Sequence, residues 1–386
     1  MKIYRAEKII AEEEVINDGF LVVEKGKIKE ICTELAPELE DFPVTDFGDM
    51  IISPGFIDIH CHGGMNYGLG EGDSKQGLIN WSKFKAENGV TGFLPTTASL
   101  ALKAYKKVFS QIKEVLSSPA EAPNILGLHL EGPFFTPGQK IGAQDPRNIK
   151  EEFPEEYSQL FAQYEELIHY LSFDPQHKDA SRILNFGKKH DLVLGAGHTE
   201  IMHQEFAQKK AHGYSVIVHT FNGMKGLHHR NPGLAYSACM DDELYAEIIC
   251  DGLHISLPML KLFFELKDPQ KAVLITDAMR AAGLKPENTS SFGDRKIKID
   301  REGRALLEDG TLAGSTLTMD RAVARVTKKV GLSLKQAVEA ASLNPARLLG
   351  IEQTKGSLKA GKDADFIVFD QDISVQETYL QGKKIT

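Results

Sequence analysis

Six residues spread through a 386-residue chain have the types that a hydrolytic metal centre needs: His60, His62, Glu131, His198, His219 and Asp277. Neutral imidazole and carboxylate are ligands that zinc or iron accepts, and a catalytic site wants about three protein ligands with a position left open for water. His60 and His62 stand two residues apart in Asp58-Ile59-His60-Cys61-His62, so on a strand Asp58 and both imidazoles share one face while Cys61 points to the other. Taken alone, such a pair also arises by chance in structural strands. Glu131 follows an apolar run in His129-Leu130-Glu131-Gly132-Pro133, where a buried carboxylate needs a partner and a cation is a sufficient one; otherwise it caps a loop. His198, in Gly195-Ala196-Gly197-His198-Thr199, also reads as a neighbour of a helix N-terminus. His219 opens His219-Thr220-Phe221-Asn222-Gly223-Met224, and Asp277, in Ile275-Thr276-Asp277-Ala278, reads either as a helix N-cap or as an acid–base group.

Residues so far apart need a fold that gathers them. Eight short apolar runs alternate with longer helix-like segments: Gly55–Ile59, Thr91–Pro95, Ile125–Leu130, Ile168–Leu171, Leu192–Gly197, Val216–Val218, Ala246–Cys250 and Ala272–Thr276. Regular alternation favours parallel strands with crossover helices, and a count of eight favours closure into a (β/α)8 TIM-like barrel. His60-Cys61-His62 then follows the first strand, Glu131 the third, His198 the fifth, His219 the sixth and Asp277 the eighth. In a barrel these C-terminal ends open onto one face, where active sites are assembled. Outside the barrel, Gly19–Val23, a polar turn at Glu24-Lys25-Gly26-Lys27 and Ile28–Ile31 read as a hairpin. The chain end has the same grammar, with Gly356-Ser357-Leu358 leading through Lys359–Ala364 into Asp365–Phe369. We therefore expect a small β-sandwich domain from residues 1–52 and 353–386, and a catalytic barrel over 53–352.

The composition excludes several function classes. With 54 acidic against 45 basic residues the net charge is -9, which argues against nucleic-acid binding yet leaves room for a local cationic pocket. Cys32, Cys61, Cys239 and Cys250 show no close pairing, so neither a disulfide framework nor a thiolate zinc knuckle is expected, and a reducing cytoplasm fits. No segment approaches the roughly 20 apolar residues of a membrane span, and the N-terminus has no signal-like run. Gly63-Gly64, Gly68 and Gly70 form no phosphate loop, since no Lys-Ser/Thr follows. His169, His177, His190, His203 and His212 have no convergent partners and read as surface or packing residues, whereas His129 shares strand parity with Glu131.

The motifs carry a resemblance across essentially the whole chain. Ser53-Pro54-Gly55-Phe56-Ile57-Asp58-Ile59-His60-Cys61-His62-Gly63 and Gly356-Ser357-Leu358-Lys359-Ala360-Gly361-Lys362-Asp363-Ala364-Asp365 resemble the opening and closing motifs of the amidohydrolase superfamily. Gly127–Phe134, Gly197-His198-Thr199, His219–Met224, Arg230-Asn231-Pro232-Gly233, Asp251-Gly252-Leu253-His254 and Leu312-Ala313-Gly314-Ser315 are similar to the narrower family of N-acetylglucosamine-6-phosphate deacetylases. That resemblance implies a hydrolase of amino-sugar catabolism with Glu131, His198 and His219 as principal metal ligands. It further implies that Asn222, Gly223, Arg230 and His254 contact the sugar phosphate, that Ala143 lies beside the sugar, and that Leu312, Ala313 and Gly314 close over it. The guanidinium of Arg230 suits a phosphate on its own chemistry. A homodimer also follows from the resemblance, and whether a neighbouring subunit lends a residue to the phosphate pocket is left open by the sequence.

Two departures from the family pattern bear on mechanism. Some members lack the paired histidines of the first strand and hold one metal; here both are present, so one or two divalent ions are expected, with two favoured, and zinc, iron or manganese as candidates. Where many members place a histidine to polarise the acetamide carbonyl, Ile141-Gly142-Ala143-Gln144-Asp145 places Gln144, whose amide donates a hydrogen bond but never becomes cationic. The expected reaction has a metal-bound hydroxide as nucleophile, with Asp277 as general base and then general acid.

Overall fold

The computed structural model describes residues 1–70, 74–118, 124–285, 288–292 and 295–386. All eight barrel strands are present: β1 (Phe56–Cys61), β2 (Val90–Thr97), β3 (Leu128–Glu131), β4 (Ile168–Phe173), β5 (Val193–Ala196), β6 (Val216–Ile217), β7 (Tyr245–Ile249) and β8 (Ala272–Ile275). They pair in parallel in sequence order from β1 to β8. Every residue of β2 is buried, as expected where both faces of a parallel sheet are covered. The helix α1 (Lys75–Glu87) covers β1 and β2, with Trp81 fully buried and edge-on to Phe93 at 5.3 Å. The first strand runs on through His60 and Cys61, so these belong to the strand instead of following it, and Glu131 is the last residue of β3.

Among the described residues no strand ladder joins β8 back to β1. Side chains close that seam. Asp58 of β1 takes the Lys85 ammonium from α1 at 2.5 Å, the Thr276 hydroxyl at 2.6 Å and the Thr276 N–H at 3.2 Å. Just above them, the Asp277 N–H donates to the His60 carbonyl at 2.9 Å and the His62 N–H to the Ala278 carbonyl at 2.6 Å. Simple alternation put Asp58 beside His60 and His62. Instead the β1–β2 register shifts between Asp58 and Cys61, and Lys85 interacts with both of these residues.

Both termini build one mostly antiparallel sheet. The hairpin Val15–Glu24 and Lys27–Cys32 turns at Lys25-Gly26, and Ile51–Pro54 pairs with the C-terminal strand Phe366–Phe369. Its core stacks Phe366 on Tyr379 at 4.2 Å with Tyr4 edge-on to both. Glu12 ties the two chain ends together by accepting from Lys359, Lys362 and Ser357.

The sequence reading did not foresee a three-stranded antiparallel sheet after β8, Thr289–Phe292, Arg295–Ile299 and Ala305–Leu307. Ile297, Ile299, Ala305 and Leu307 pack on Met279, Ala281 and Ala313, with Ala143 against the cluster. This sheet carries residues 312–315 back onto the strand ends: the Ala313 N–H donates to the Ala305 carbonyl and the Ser315 N–H to the Asp277 carbonyl at 2.8 Å.

Candidate metal centre

The six residues singled out at the strand ends meet in one place. Glu131 is the hub: its Oε1 lies 2.9 Å from His198 Nε2, 3.0 Å from His219 Nε2 and 3.4 Å from His60 Nε2, and its Oε2 lies 3.3 Å from His62 Nε2. Asp277 Oδ1 stands 3.3 Å from His62 Nε2. Two overlapping triads, His60–His62–Asp277 and His60–Glu131–His219, bring their donor atoms within 4.8 Å of one another. His60 Nε2 is buried and, among the described residues, has no hydrogen-bond partner although carboxylate oxygens surround it. A lone pair held dry among oxygens and other imidazole nitrogens suits a divalent cation, so the donor set fits one.

Local backbone geometry aims these groups. His198, His219 and Asp277 each stand just past a strand end with positive φ (47°, 28° and 46°), a region that non-glycine residues adopt at a cost of roughly 1–3 kcal/mol and keep where surroundings enforce it. The His198 ring is fixed from behind by the Lys140 carbonyl at 2.8 Å, and the His219 ring by the Asn222 carbonyl at 3.2 Å. Gly223 has φ +59°, and a Cβ there would stand 3.0 Å from His198 Nδ1 and 3.1 Å from the Lys140 carbonyl, so glycine leaves His198 its space. Asp277 caps no α-helix among the described residues, and the helix nearest His198 starts only at His203.

The electrostatics follow from the crowding. Burial disfavours a charged His62, but Asp277 and Glu131 outweigh it and push its pKa up to about 9. Burial would raise Asp277, yet the His62 hydrogen bond and the charges of His60, His62 and His219 hold it below the usual carboxylate value, ionised and able to accept a proton at neutral pH.

The other expected residues take distinct positions. Gln144 is buried; its Oε1 accepts from the Ser99 N–H at 2.7 Å and its Nε2 donates to Glu131 Oε2 at 2.6 Å, which fixes the orientation of the amide. One N–H of that Nε2 is therefore committed to Glu131 and the other remains. Ala143 lines a cavity of about 530 Å³ that also touches His62, Thr96, Arg280 and Arg295. Asn222 turns its amide onto the carbonyls of His219 and Thr220. His254 is held by Asp251 Oδ2 at 2.6 Å, which raises its pKa against burial. Arg230 is exposed and makes no side-chain hydrogen bond or ion pair among the described residues. Leu312 and Gly314 are half-buried and Ala313 is buried; at Gly314 (φ +64°) a Cβ would stand 2.9 Å from the Asp277 carbonyl, so this segment lies directly on the strand end. His177 and His203 bond locally to Lys150 and Ser237, away from the cluster. His129 bonds Ser172 at 2.9 Å and stacks on Tyr170 at 3.7 Å.

Glu247 was not among the residues picked out from the sequence. It sits in β7, fully buried, with Oε2 at 2.8 Å from His60 Nδ1. The available signal was a lone acid inside the apolar run Ala246-Glu247-Ile248-Ile249, since a charge placed in a barrel strand needs a partner.

Comparison with known proteins agrees with this architecture. Residues 236–385 match the model of the amidohydrolase family. The chain is 31% identical over 383 residues to N-acetylgalactosamine-6-phosphate deacetylase of Escherichia coli O157:H7, covering 99% of this chain and 98% of that one. It is 32% identical over 378 residues to N-acetylglucosamine-6-phosphate deacetylase of Bacillus subtilis, covering 97% and 94%. The crystal structure of N-acetylglucosamine-6-phosphate deacetylase from Thermotoga maritima superposes with a TM-score of 0.87 at 31% identity, over 100% of this chain and 99% of that one. Full-length identity at this level, with the eight-stranded barrel and its crowded strand ends, makes the chain an enzyme of the N-acetylglucosamine-6-phosphate deacetylase family of amidohydrolases.

Proposed function

We propose that this enzyme hydrolyses the acetamide of N-acetyl-D-glucosamine 6-phosphate, giving D-glucosamine 6-phosphate and acetate in amino-sugar catabolism. The observation that carries the reading is the convergence of four imidazole Nε2 atoms on Glu131, with Asp277 alongside, in a chain whose full-length relatives bear sugar-phosphate deacetylase names. In this reading His60, His62, Glu131, His198 and His219 hold one or two divalent ions, two being favoured because the His60 and His62 imidazoles stand beside Glu131 in addition to those of His198 and His219. A bound cation supplies Lewis acidity toward the carbonyl and makes water a nucleophile near neutral pH.

The chain's own groups carry the proton. Asp277 takes a proton from the attacking water as its oxygen bonds to the carbonyl carbon, then delivers that proton to the nitrogen as the C–N bond breaks. Gln144, its amide already oriented, has one N–H left for the developing oxyanion. Asn222, Gly223, Arg230 and His254 contact the sugar phosphate, and Asp251 supports this by orienting the His254 ring and shifting its pKa upward against burial. Ala143 and residues 312–314 border the sugar. We assign residues 1–52 and 353–386 to the small β-domain and 53–352 to the catalytic barrel, and we place the enzyme in the cytoplasm as a homodimer.

The test is metal content per chain on the preparation whose acetate release is assayed before and after chelation. Near two ions with chelator-sensitive turnover supports the reading; near one ion reassigns His60 and His62. Asp277→Asn is expected to keep its metal and lose nearly all turnover, and an active variant would identify another base. A second substrate, N-acetylgalactosamine 6-phosphate, is favoured by the Escherichia coli relative at almost the same identity. Turnover of the two sugar phosphates side by side separates them.

A further inference from the structure

We infer that Glu247 is a positioning residue that sets His60 for metal ligation and couples it to His219. The inference rests on the metal-centre reading above. Glu247 reaches the cluster from β7, a strand that contributes none of the six site residues, and it is fully buried. Its two oxygens take three donors. Oε2 accepts from His60 Nδ1 at 2.8 Å and from the backbone N–H of His219 at 3.2 Å, and Oε1 accepts from the Tyr170 hydroxyl at 2.9 Å. Its own carbonyl accepts from the Thr220 N–H at 2.8 Å.

Each contact has a consequence for ligation. A carboxylate oxygen only accepts, so the proton of a neutral His60 sits on Nδ1 and the Nε2 lone pair is left toward Glu131. That same Nε2 is buried and has no hydrogen-bond partner among the described residues. The bond to the His219 N–H acts at a residue held at φ 28°, and the Thr220 N–H bond braces the next one. Glu247 thus fixes the ring of one ligand and the backbone of another, two strands that are not neighbours in the sheet. The Tyr170 hydroxyl keeps the carboxylate from swinging away, and the Tyr170 ring is itself pinned by stacking on His129.

Glu247→Gln is nearly isosteric; its carbonyl oxygen can still accept from His60 Nδ1 and the His219 N–H while its NH2 turns to the Tyr170 oxygen, so what it removes is the carboxylate charge that strengthens the bond to His60. Zinc affinity of the chain is measured by competition with a chromophoric chelator, alongside the thermal midpoint of the metal-free protein. E247Q is expected to weaken the ion that uses His60 by about 10–100-fold with a far smaller loss in the His60→Ala background, because the effect runs through His60. A merely structural role would shift the metal-free midpoint and leave affinity per folded chain unchanged. Tyr170→Phe, which removes one donor to Glu247, is expected to weaken the same ion less; it serves as the readout if E247Q does not fold. Wild-type affinity in the folded variants, or an equal loss with and without His60, overturns the inference while leaving the metal reading intact. A wild-type chain that binds no zinc overturns that reading instead.

Discussion

Removing the ammonium of Lys85 should open the barrel at its seam. Lys85 and Asp58 are 4% and 0% exposed and 2.5 Å apart. In Lys85→Met the aliphatic stem stays, so little packing is lost, but Asp58 keeps only the Thr276 hydroxyl and N–H. Leaving one member of a buried pair uncompensated costs about 3–5 kcal/mol, equivalent to roughly two to nearly four decades in the unfolding equilibrium constant. Asp58→Asn in the same chain removes the stranded charge while its amide still accepts from the Thr276 N–H and donates to the hydroxyl. The double variant should therefore recover more than half of the loss. Urea unfolding of the three metal-free proteins, followed by tryptophan fluorescence, reads this at the seam itself, because Trp81 lies one turn from Lys85 on α1. The single variant should also bind metal more weakly, since Asp58 precedes His60 by two residues and Thr276 directly precedes Asp277. A loss below about 1 kcal/mol in Lys85→Met, or a double variant no better than the single, would refute the view that this ion pair closes the barrel.

Three further outcomes are expected. Gln144→Leu should lower kcat by about 10²–10³-fold with KM moved little if its spare N–H serves the oxyanion; an unchanged kcat removes Gln144 from the chemistry. Loading the metal-free enzyme with zinc at pH 7 should release protons, because His62, raised to about 9, is protonated before the ion arrives; a weakly buffered pH-indicator titration without release contradicts this. Burial raises the Glu12 pKa, but Lys359, Lys362 and Ser357 outweigh it and bring it down to about 2. A lowered carboxylate stabilises above its unfolded value near 4.5 and loses that contribution as pH falls toward 2. Glu12→Gln should thus reduce the thermal midpoint at pH 7 and little at pH 2, by a modest amount because the pair is partly exposed to solvent; equal shifts at both pH values would contradict the link.

The sequence alone determined the strand count, the parallel order and the ends at which chemistry-bearing residues would lie. These properties are local: a buried parallel strand is a short apolar run, and a candidate site residue shows itself as a polar residue where that run stops. His60, His62, Glu131, His198, His219 and Asp277 were legible for that reason. The three-stranded sheet after β8 was not, because its strands, such as Arg295–Ile299, are short and half polar and take their stability from packing on Met279, Ala281 and Ala313. Alternation likewise placed Asp58 with the histidines, and only the register shift and the approach of Lys85 from a helix decided otherwise. The sequence showed Gln144 only as an amide able to donate, and the fold commits one of its N–H groups to Glu131. Glu247 was a lone acid in an apolar strand until tertiary structure brought His60, 187 residues away in the chain, to within 2.8 Å. Residue types and strand ends are written along one dimension, whereas the partner that orients a buried polar group is chosen by closing the barrel, which the one-dimensional pattern does not encode.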